Sequence, residues 1–263
     1  MAIDMACASR AVYDMPLYPL KSYLDSKLVR DPKLQTFKIG DQRDDTFGMA
    51  WLTGGRLFIV FRGTQSLRNA LEDMDVSMNR IYDTDINYTQ PGIKVHRGFL
   101  ITMNNLWIDT AKAVRAYDAL PEDEKNGIII SGHSLAAAQS AICAAFIWSR
   151  FKITATGYTF GQPQVGNRAW RKFFNSRFPN WYRMVHCNDI ICRIPRLLWF
   201  YTQTSIDMFF GLKDGLYLNL PYLRKLPMDF RCMWRHRFFD LDAMLQDHHV
   251  QSYVDLLMRK YAA

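Results

Sequence analysis

Short apolar runs separated by turn residues predict several β-strands along the chain. Five runs have this pattern, at residues 46–52, 56–61, 127–131, 153–160 and 182–187. Thr53-Gly54-Gly55 between the first two is typical of a hairpin turn. The third run contains three consecutive isoleucines, the pattern of a strand that is buried on both faces of a parallel sheet.

Helical periodicity appears between the predicted strands. Apolar residues recur every three or four positions across residues 99–117 and again across 250–257. Residues 134–148 are rich in alanine and apolar on nearly every side, which indicates a helix buried against a sheet. Strands that alternate with helices predict an α/β fold with a mostly parallel central sheet and helices on both faces.

Composition excludes several classes of protein but does not choose a function. The chain has 263 residues, of which 49% are hydrophobic and 22% charged, so it can bury enough apolar surface to fold. The net charge of +8 and the 14% of aromatic residues fit nucleic acid, an anionic membrane, an acidic substrate or plain solubility.

Cysteine spacing and the N-terminal sequence bear on the cellular environment. The five cysteines include no Cys-x-x-Cys pair, so neither a disulfide framework nor a zinc site is predicted. The N-terminus lacks the pattern of a secretory signal, and the longest apolar run is shorter than the roughly 20 residues that a spanning helix needs. We therefore expect a cytoplasmic or peripheral membrane protein in a reducing environment.

The most informative stretch is the turn at Ser134. A predicted buried strand runs through Gly132-His133-Ser134 directly into the alanine-rich helix. This is the context of a nucleophile elbow, in which a strained turn presents a serine at a helix N-terminus. The usual pattern is Gly-x-Ser-x-Gly, and here Ala136 stands at its last position. Its methyl group is either absorbed by a small shift or weakens the site.

Several motifs in order along the chain resemble the class-3, fungal-type triacylglycerol lipase family of α/β-hydrolases. They are Phe61-Arg62-Gly63-Thr64, Ser66–Met74, Lys94–Phe99, Gly132-His133-Ser134-Leu135, Thr159–Asn167, Asn188-Asp189-Ile190 and Asp247-His248. Together they cover roughly residues 5–260. The resemblance implies one α/β-hydrolase domain over residues 1–263.

The resemblance implies a catalytic triad of Ser134, Asp189 and His248, in the chain order that α/β-hydrolases use. Asp189 follows a predicted strand, at the end where open α/β sheets place their sites. His248 is preferred because Val250 and Tyr253 stand at +2 and +5 from it, as in the bacterial-like branch of the family. His249 stays the alternative base.

The family also implies an oxyanion hole and a lid. Backbone N–H groups of Thr64 and Leu135 would hold the developing oxyanion, with Thr64 carried over from the family motif. The segment near residues 66–76 resembles the family's lid, and it begins with Ser66, Leu67, Arg68, Asn69, Ala70 and Leu71. Ala70 stands where fungal enzymes often carry Trp, so the lid offers less apolar surface to lipid. Residues 197–239 show little periodicity and are expected to form an irregular cap or insertion.

These observations predict a serine carboxylester hydrolase that cleaves acyl esters of lipids through an acyl-enzyme. The sequence has no phosphate-binding glycine loop, dinucleotide fingerprint, zinc motif or complete calcium loop, so we expect no cofactor and no metal. The alternative is a catalytically silent, lipase-like scaffold, favoured only by Ala136. No recognition motif supports nucleic acid as a partner.

Basic and aromatic residues alternate between Arg224 and Phe239, and this gives a testable prediction. The stretch either contacts an anionic membrane or packs its aromatic residues into the core beneath a solvated basic face. If it contacts membrane, binding to anionic vesicles should weaken with salt, and each Arg→Gln change between Arg224 and Arg237 should cost about 1 kcal/mol. Vesicle co-sedimentation measures this, with neutral vesicles as the control. Salt-independent binding would favour the core-facing interpretation.

Overall fold

The computed structural model describes residues 1–12, 33–40, 47–63, 77–81, 92–186, 189–195, 201–211, 216–219 and 241–261. The helices in these ranges are α1 (Ala2–Ala11), α2 (Arg97–Asp118), α3 (Leu135–Phe151), α4 (Arg168–Arg177), α5 (Leu241–His248) and α6 (Val250–Tyr261). The strands are β1 (Gln35–Ile39), β2 (Gly48–Thr53), β3 (Arg56–Phe61), β4 (Met78–Arg80), β5 (Lys94–His96), β6 (Ile128–His133), β7 (Ala155–Phe160), β8 (Trp181–His186), β9 (Ile206–Phe210) and β10 (Leu216–Leu218).

One eight-stranded sheet organises the fold, in the order β1-β2-β3-β6-β7-β8-β9-β10. Its central strands β3, β6, β7, β8 and β9 are parallel, and antiparallel strands extend it at both ends. β4 and β5 form a separate antiparallel pair. The predicted mostly parallel sheet is therefore confirmed, with its antiparallel pairs at the two edges.

Alternating side chains divide the core between the two faces of the sheet. On β6, Ile128 and Ile130 pack with residues of α2 and α3, whereas Ile129 packs with residues of α1 and α6. β3 alternates in the same way. Because both faces are covered, β6 is buried along its whole length, which explains its unbroken apolar run. Helices thus lie on both faces, as the periodicity predicted.

The predicted elements are found with small shifts at their ends. All five predicted strands exist, and the hairpin between β2 and β3 turns at Gly54 and Gly55, both at positive φ. Four of the described strands, β1, β4, β9 and β10, were not predicted. β5 begins the Lys94–Phe99 motif, whose family resemblance implies a strand that runs into a helix. β9 and β10 lie within the region expected to be irregular, so its described part extends the sheet edge.

The predicted lid and the possible membrane contacts concern segments outside the part of the chain that the structure describes. The lid-like segment, including Ser66, Leu67, Arg68, Asn69, Ala70 and Leu71, lies outside the described residues, as does the basic aromatic stretch near residues 224–239. Among the helices that the structure describes, none is both long and apolar enough to cross a membrane.

A buried arginine ties together the loops at the carboxyl ends of the central strands. Arg183 on β8 is 1% exposed, and its Nη1 lies 2.7 Å from Asp207 Oδ1 on β9. Its Nε and Nη2 donate to the carbonyl of Gln162 after β7, and Nη2 also donates to the carbonyl of Cys192 after β8. One side chain therefore holds two loops and a neighbouring strand in fixed positions.

Removal of this side chain should destabilise the protein strongly. Arg183→Met is expected to lower the free energy of unfolding by about 3–5 kcal/mol, because Asp207 and the carbonyl groups of Gln162 and Cys192 lose their buried bonds to the guanidinium. The control Lys112→Met breaks the exposed Lys112–Asp109 pair and should cost about 1 kcal/mol or less. Urea unfolding followed by circular dichroism measures both. Equal losses would contradict the assigned role of the buried arginine.

Candidate active site

Ser134 occupies a strained turn between β6 and α3. Its φ is 61° and its ψ is −129°, and it is the N-cap residue of α3. Its N–H donates to the carbonyl of Phe160 on the neighbouring strand β7, and its own carbonyl accepts from the N–H of Ala137. A serine with positive φ is uncommon, and such strain concentrates at functional sites. The local geometry is that of a nucleophile elbow.

Close packing of α3 against β6 depends on Gly132. A Cβ at this position would lie 2.5 Å from the carbonyl oxygen of Ala136 and 2.7 Å from Ser140 Oγ. Ala136, in the first turn of α3, is fully buried in the core. Its methyl group is therefore accommodated in the packed interior, at the position whose residue favoured a silent protein.

Asp189 and His248 come together at the carboxyl edge of the sheet. His248 Nδ1 lies 2.9 Å from Asp189 Oδ1 and 2.8 Å from Oδ2, and both side chains are almost fully buried. The carboxylate also accepts from the N–H of Ile191 and from the hydroxyl of Tyr253, at 2.9 and 2.6 Å. His248 Nε2 is buried and has no hydrogen-bond partner among the described residues, so none of their side chains or main-chain groups blocks it.

The His248 imidazole lies beside the serine turn. Its ring centroid is 4.6 Å from that of His133, the residue before Ser134. A Cβ at Gly161 would be 2.6 Å from His248 Cε1, and Gly161 directly follows Phe160, whose carbonyl holds Ser134. The positive φ of Gly161 and its missing side chain therefore make room for the ring.

The two adjacent histidines have different surroundings. His248 is the last residue of α5. His249, the alternative base, is exposed, whereas His248 is buried against Asp189. The geometry favours His248 because, of the two rings, it is the one that meets a carboxylate of the described residues. A third histidine, His133, also contacts this residue, since its Nε2 lies 2.6 Å from the main-chain carbonyl of His248.

The contact of Tyr253 with the site was not predicted from the sequence. Its hydroxyl donates to Asp189 and accepts from the N–H of His186. It was noted only as part of a family pattern around His248. Its place in the helical period of α6 predicts burial, but no local signal shows that its hydroxyl would meet the carboxylate.

Electrostatics keep the Asp189 carboxylate ionised and favour the neutral forms of Tyr253 and His133. Burial raises the pKa of Asp189, but the charge of His248 and the hydrogen bonds from His248 and Tyr253 outweigh it and hold that pKa well below its usual range. Burial, and then the charge of Asp189, raise the pKa of the Tyr253 phenol. Burial and the nearby charge of His248 lower the pKa of His133 to about 3.

The oxyanion-hole expectation is described in part. Leu135 is the first residue of α3, so its N–H has no acceptor within the helix and lies where the helix dipole favours negative charge. Thr64 lies outside the described residues. The described chain after β3 ends at Gly63, one residue before it. Within the described ranges, no three His, Cys, Asp or Glu side chains are grouped to hold a metal ion.

Comparisons with known proteins find one family. A family model described as Lipase (class 3) matches residues 58–199. A lipase from Rhizomucor miehei is 29% identical over 146 residues, which cover 53% of this chain and 37% of that protein. Secreted mono- and diacylglycerol lipase 1 from Fusarium solani is 28% identical over 165 residues, or 59% of this chain and 48% of that protein. The chain thus spans less than half of each of these relatives.

A solved structure has the same fold. The lipase from Rhizopus microsporus var. chinensis superposes with a TM-score of 0.68 and 22% identity, covering 88% of this chain and 80% of that one. The predicted α/β-hydrolase fold is confirmed.

The two positions of the elbow that carry small residues should respond differently to substitution. Gly132→Ala should lower the free energy of unfolding by about 1–3 kcal/mol, because the new methyl group pushes α3 from β6, and ester turnover should fall as Ser134 shifts. The matched change Ala136→Gly should cost no more than about 1 kcal/mol and leave turnover near that of the wild type. Urea unfolding and p-nitrophenyl ester hydrolysis measure both. A Gly132→Ala protein with unchanged stability and turnover would refute the packing argument.

Proposed function

Because the chain belongs to the class 3 lipase family, we propose that it is a serine carboxylester hydrolase that cleaves acyl esters of lipids. The family match covers more than half of the chain. The observation that carries the proposal is the buried Asp189–His248 pair, with an unpartnered Nε2, beside a serine in a strained elbow. This combination of nucleophile, base and orienting carboxylate is what acyl transfer requires.

Ser134 is the proposed nucleophile. His248 Nε2 takes the hydroxyl proton while Ser134 Oγ attacks the ester carbonyl carbon, which gives a tetrahedral intermediate. The bond to the alcohol oxygen then breaks, and His248 gives the proton to that leaving oxygen. Water attacks the carbonyl carbon of the resulting acyl-enzyme, and one of its protons passes to His248. The bond from that carbon to Ser134 Oγ then breaks, His248 returns the proton to Oγ, and the fatty acid leaves.

Asp189 is the proposed orienting group. Its carboxylate meets Nδ1–H of His248, which leaves Nε2 unprotonated and able to act as the base. After proton transfer the carboxylate stabilises the imidazolium. The low pKa of Asp189 keeps it ionised throughout, so it does not itself take the proton.

The N-terminus of α3 is proposed to supply one of the two donors of the oxyanion hole, and it is the donor that lies within the described residues. The Leu135 N–H lies at the start of the helix, next to the nucleophile. Such a donor contributes about 3–4 kcal/mol to transition-state stabilisation when it is prearranged. The second donor, Thr64, stays a prediction from the family motif.

The proposed substrate class is lipid esters. The relatives that match this chain are named lipases, including a mono- and diacylglycerol lipase, which supports acylglycerols as substrates. Contact with an anionic membrane would bring the enzyme to such substrates. That contact stays a prediction, since the basic aromatic stretch lies outside the described residues.

A fluorophosphonate serine probe tests the nucleophile. Wild-type protein should be labelled and should hydrolyse p-nitrophenyl esters, whereas Ser134→Ala should lose labelling and at least about 10⁴-fold in turnover. The base is tested by His248→Ala, which should lose activity similarly. His249→Ala, one residue away and exposed, is the matched control and should keep it. An unlabelled wild type would overturn the enzyme proposal, and full activity of His248→Ala would reassign the base.

A further inference from the structure

His133 stands next to the nucleophile, yet the proposed proton transfers do not use it. It is the last residue of β6 and is 5% exposed. Alternation along the strand places Ser131 and His133 on the same face as Ile129, towards α1 and α6. Ser131 Oγ lies 2.8 Å from Ser9 Oγ of α1, in agreement with this direction. The strand thus turns a polar ring towards the C-terminal helices.

The ring contacts the main chain of His248. His133 Nε2 lies 2.6 Å from the His248 carbonyl oxygen. A carbonyl can only accept, so Nε2 carries the proton and donates it. His248 ends α5, where the last carbonyl groups have no partner within the helix. His133 therefore fills a position that the helix leaves empty, at the residue whose side chain meets Asp189.

The surroundings of His133 keep it uncharged. The titratable groups that face it are His248 at the end of α5, His249 beyond it, Asp189 after β8 and, at 6.1 Å between ring centroids, Tyr253 on α6. Burial, followed by the charge of His248, lowers the pKa of His133 to about 3. A neutral ring donates its hydrogen bond without opposing the imidazolium that forms on His248 during the reaction.

We propose that His133 is a positioning residue, whose Nε2–H fixes the main chain of His248 so that the imidazole stays in place to accept the proton of Ser134. The inference rests on the proposed function and deepens it. Asp189 holds the imidazole at Nδ1, and His133 holds the same residue at its carbonyl oxygen. Two attachments restrict both rotation and displacement of the ring, and small displacements of a catalytic group reduce rates steeply.

Three substitutions at one position separate the hydrogen bond from the packing of the ring. His133→Gln places an amide N–H near the position of Nε2, whereas the shorter amide of His133→Asn does not reach it. His133→Leu fills the space without a donor. Ser131→Ala is the matched control, because it removes a buried polar group from the same face of β6 without touching His248.

The readouts are kcat, KM and the rate and final extent of fluorophosphonate labelling. His133→Asn and His133→Leu should lower kcat and the labelling rate about 10- to 100-fold, with KM and the final extent of labelling unchanged. His133→Gln should retain activity to within about threefold, since the donor is restored. Ser131→Ala should lose stability while keeping kcat and KM.

Two results would overturn the proposal. One is wild-type kcat in both His133→Asn and His133→Leu. The other is a protein whose final extent of labelling falls while turnover per labelled site stays at the wild-type value. This would show that His133 serves folding alone. If wild type is not labelled, the proposed function fails instead. The downfield nuclear magnetic resonance signal of His248 Nδ1–H still tests the positioning role. It should be retained in His133→Gln and broadened or shifted in His133→Asn, and an unchanged signal in His133→Asn would refute the role.

Discussion

A buried carboxylate has to be matched by donors, and the arrangement around Asp189 follows from this requirement. An ion left unpaired in a protein interior costs several kcal/mol. Asp189 is fully buried and is met by the N–H of Ile191, by His248 Nδ1 and by the Tyr253 hydroxyl, which lie 2, 59 and 64 residues away in sequence. The two distant donors belong to α5 and α6. The charge on one strand end therefore fixes how the C-terminal helices dock.

Parallel strands explain why the remaining parts meet at one place. The carboxyl ends of β6, β7 and β8 lie side by side, so Ser134, Gly161 and Asp189 follow neighbouring strand ends. The Arg183 side chain links the loops after β7 and β8 by donating to a main-chain carbonyl in each. Backbone strain at Ser134 is sustained by these contacts, since Phe160 on β7 holds its N–H. The site is thus rigid because several strand ends are bound to one another.

Local patterns in the sequence identified the parts that depend on neighbours in the chain. The isoleucine run before Ser134 revealed β6, and the small residues after it revealed α3, because burial on both faces needs apolar side chains throughout. β9 and β10 were missed because they lie at one end of the sheet, where most of their side chains are not fully buried and the apolar pattern is weak. Arg183 could not be predicted as buried, because its partners Gln162, Cys192 and Asp207 become neighbours only when β7, β8 and β9 are paired.

The sequence by itself determined the α/β class, the elbow at Ser134 and the order of the candidate nucleophile, acid and base. The α/β class and the elbow follow from the spacing of apolar, small and polar residues over short stretches, whereas the candidate acid and base follow from the resemblance to the lipase family. Only the tertiary structure placed His248, rather than His249, against Asp189, assigned further donors to that carboxylate and turned His133 towards His248. Adjacent residues look alike in sequence, and the side of a helix or strand on which each one lies determines which distant group it contacts. That choice comes from long-range packing, which no local pattern records.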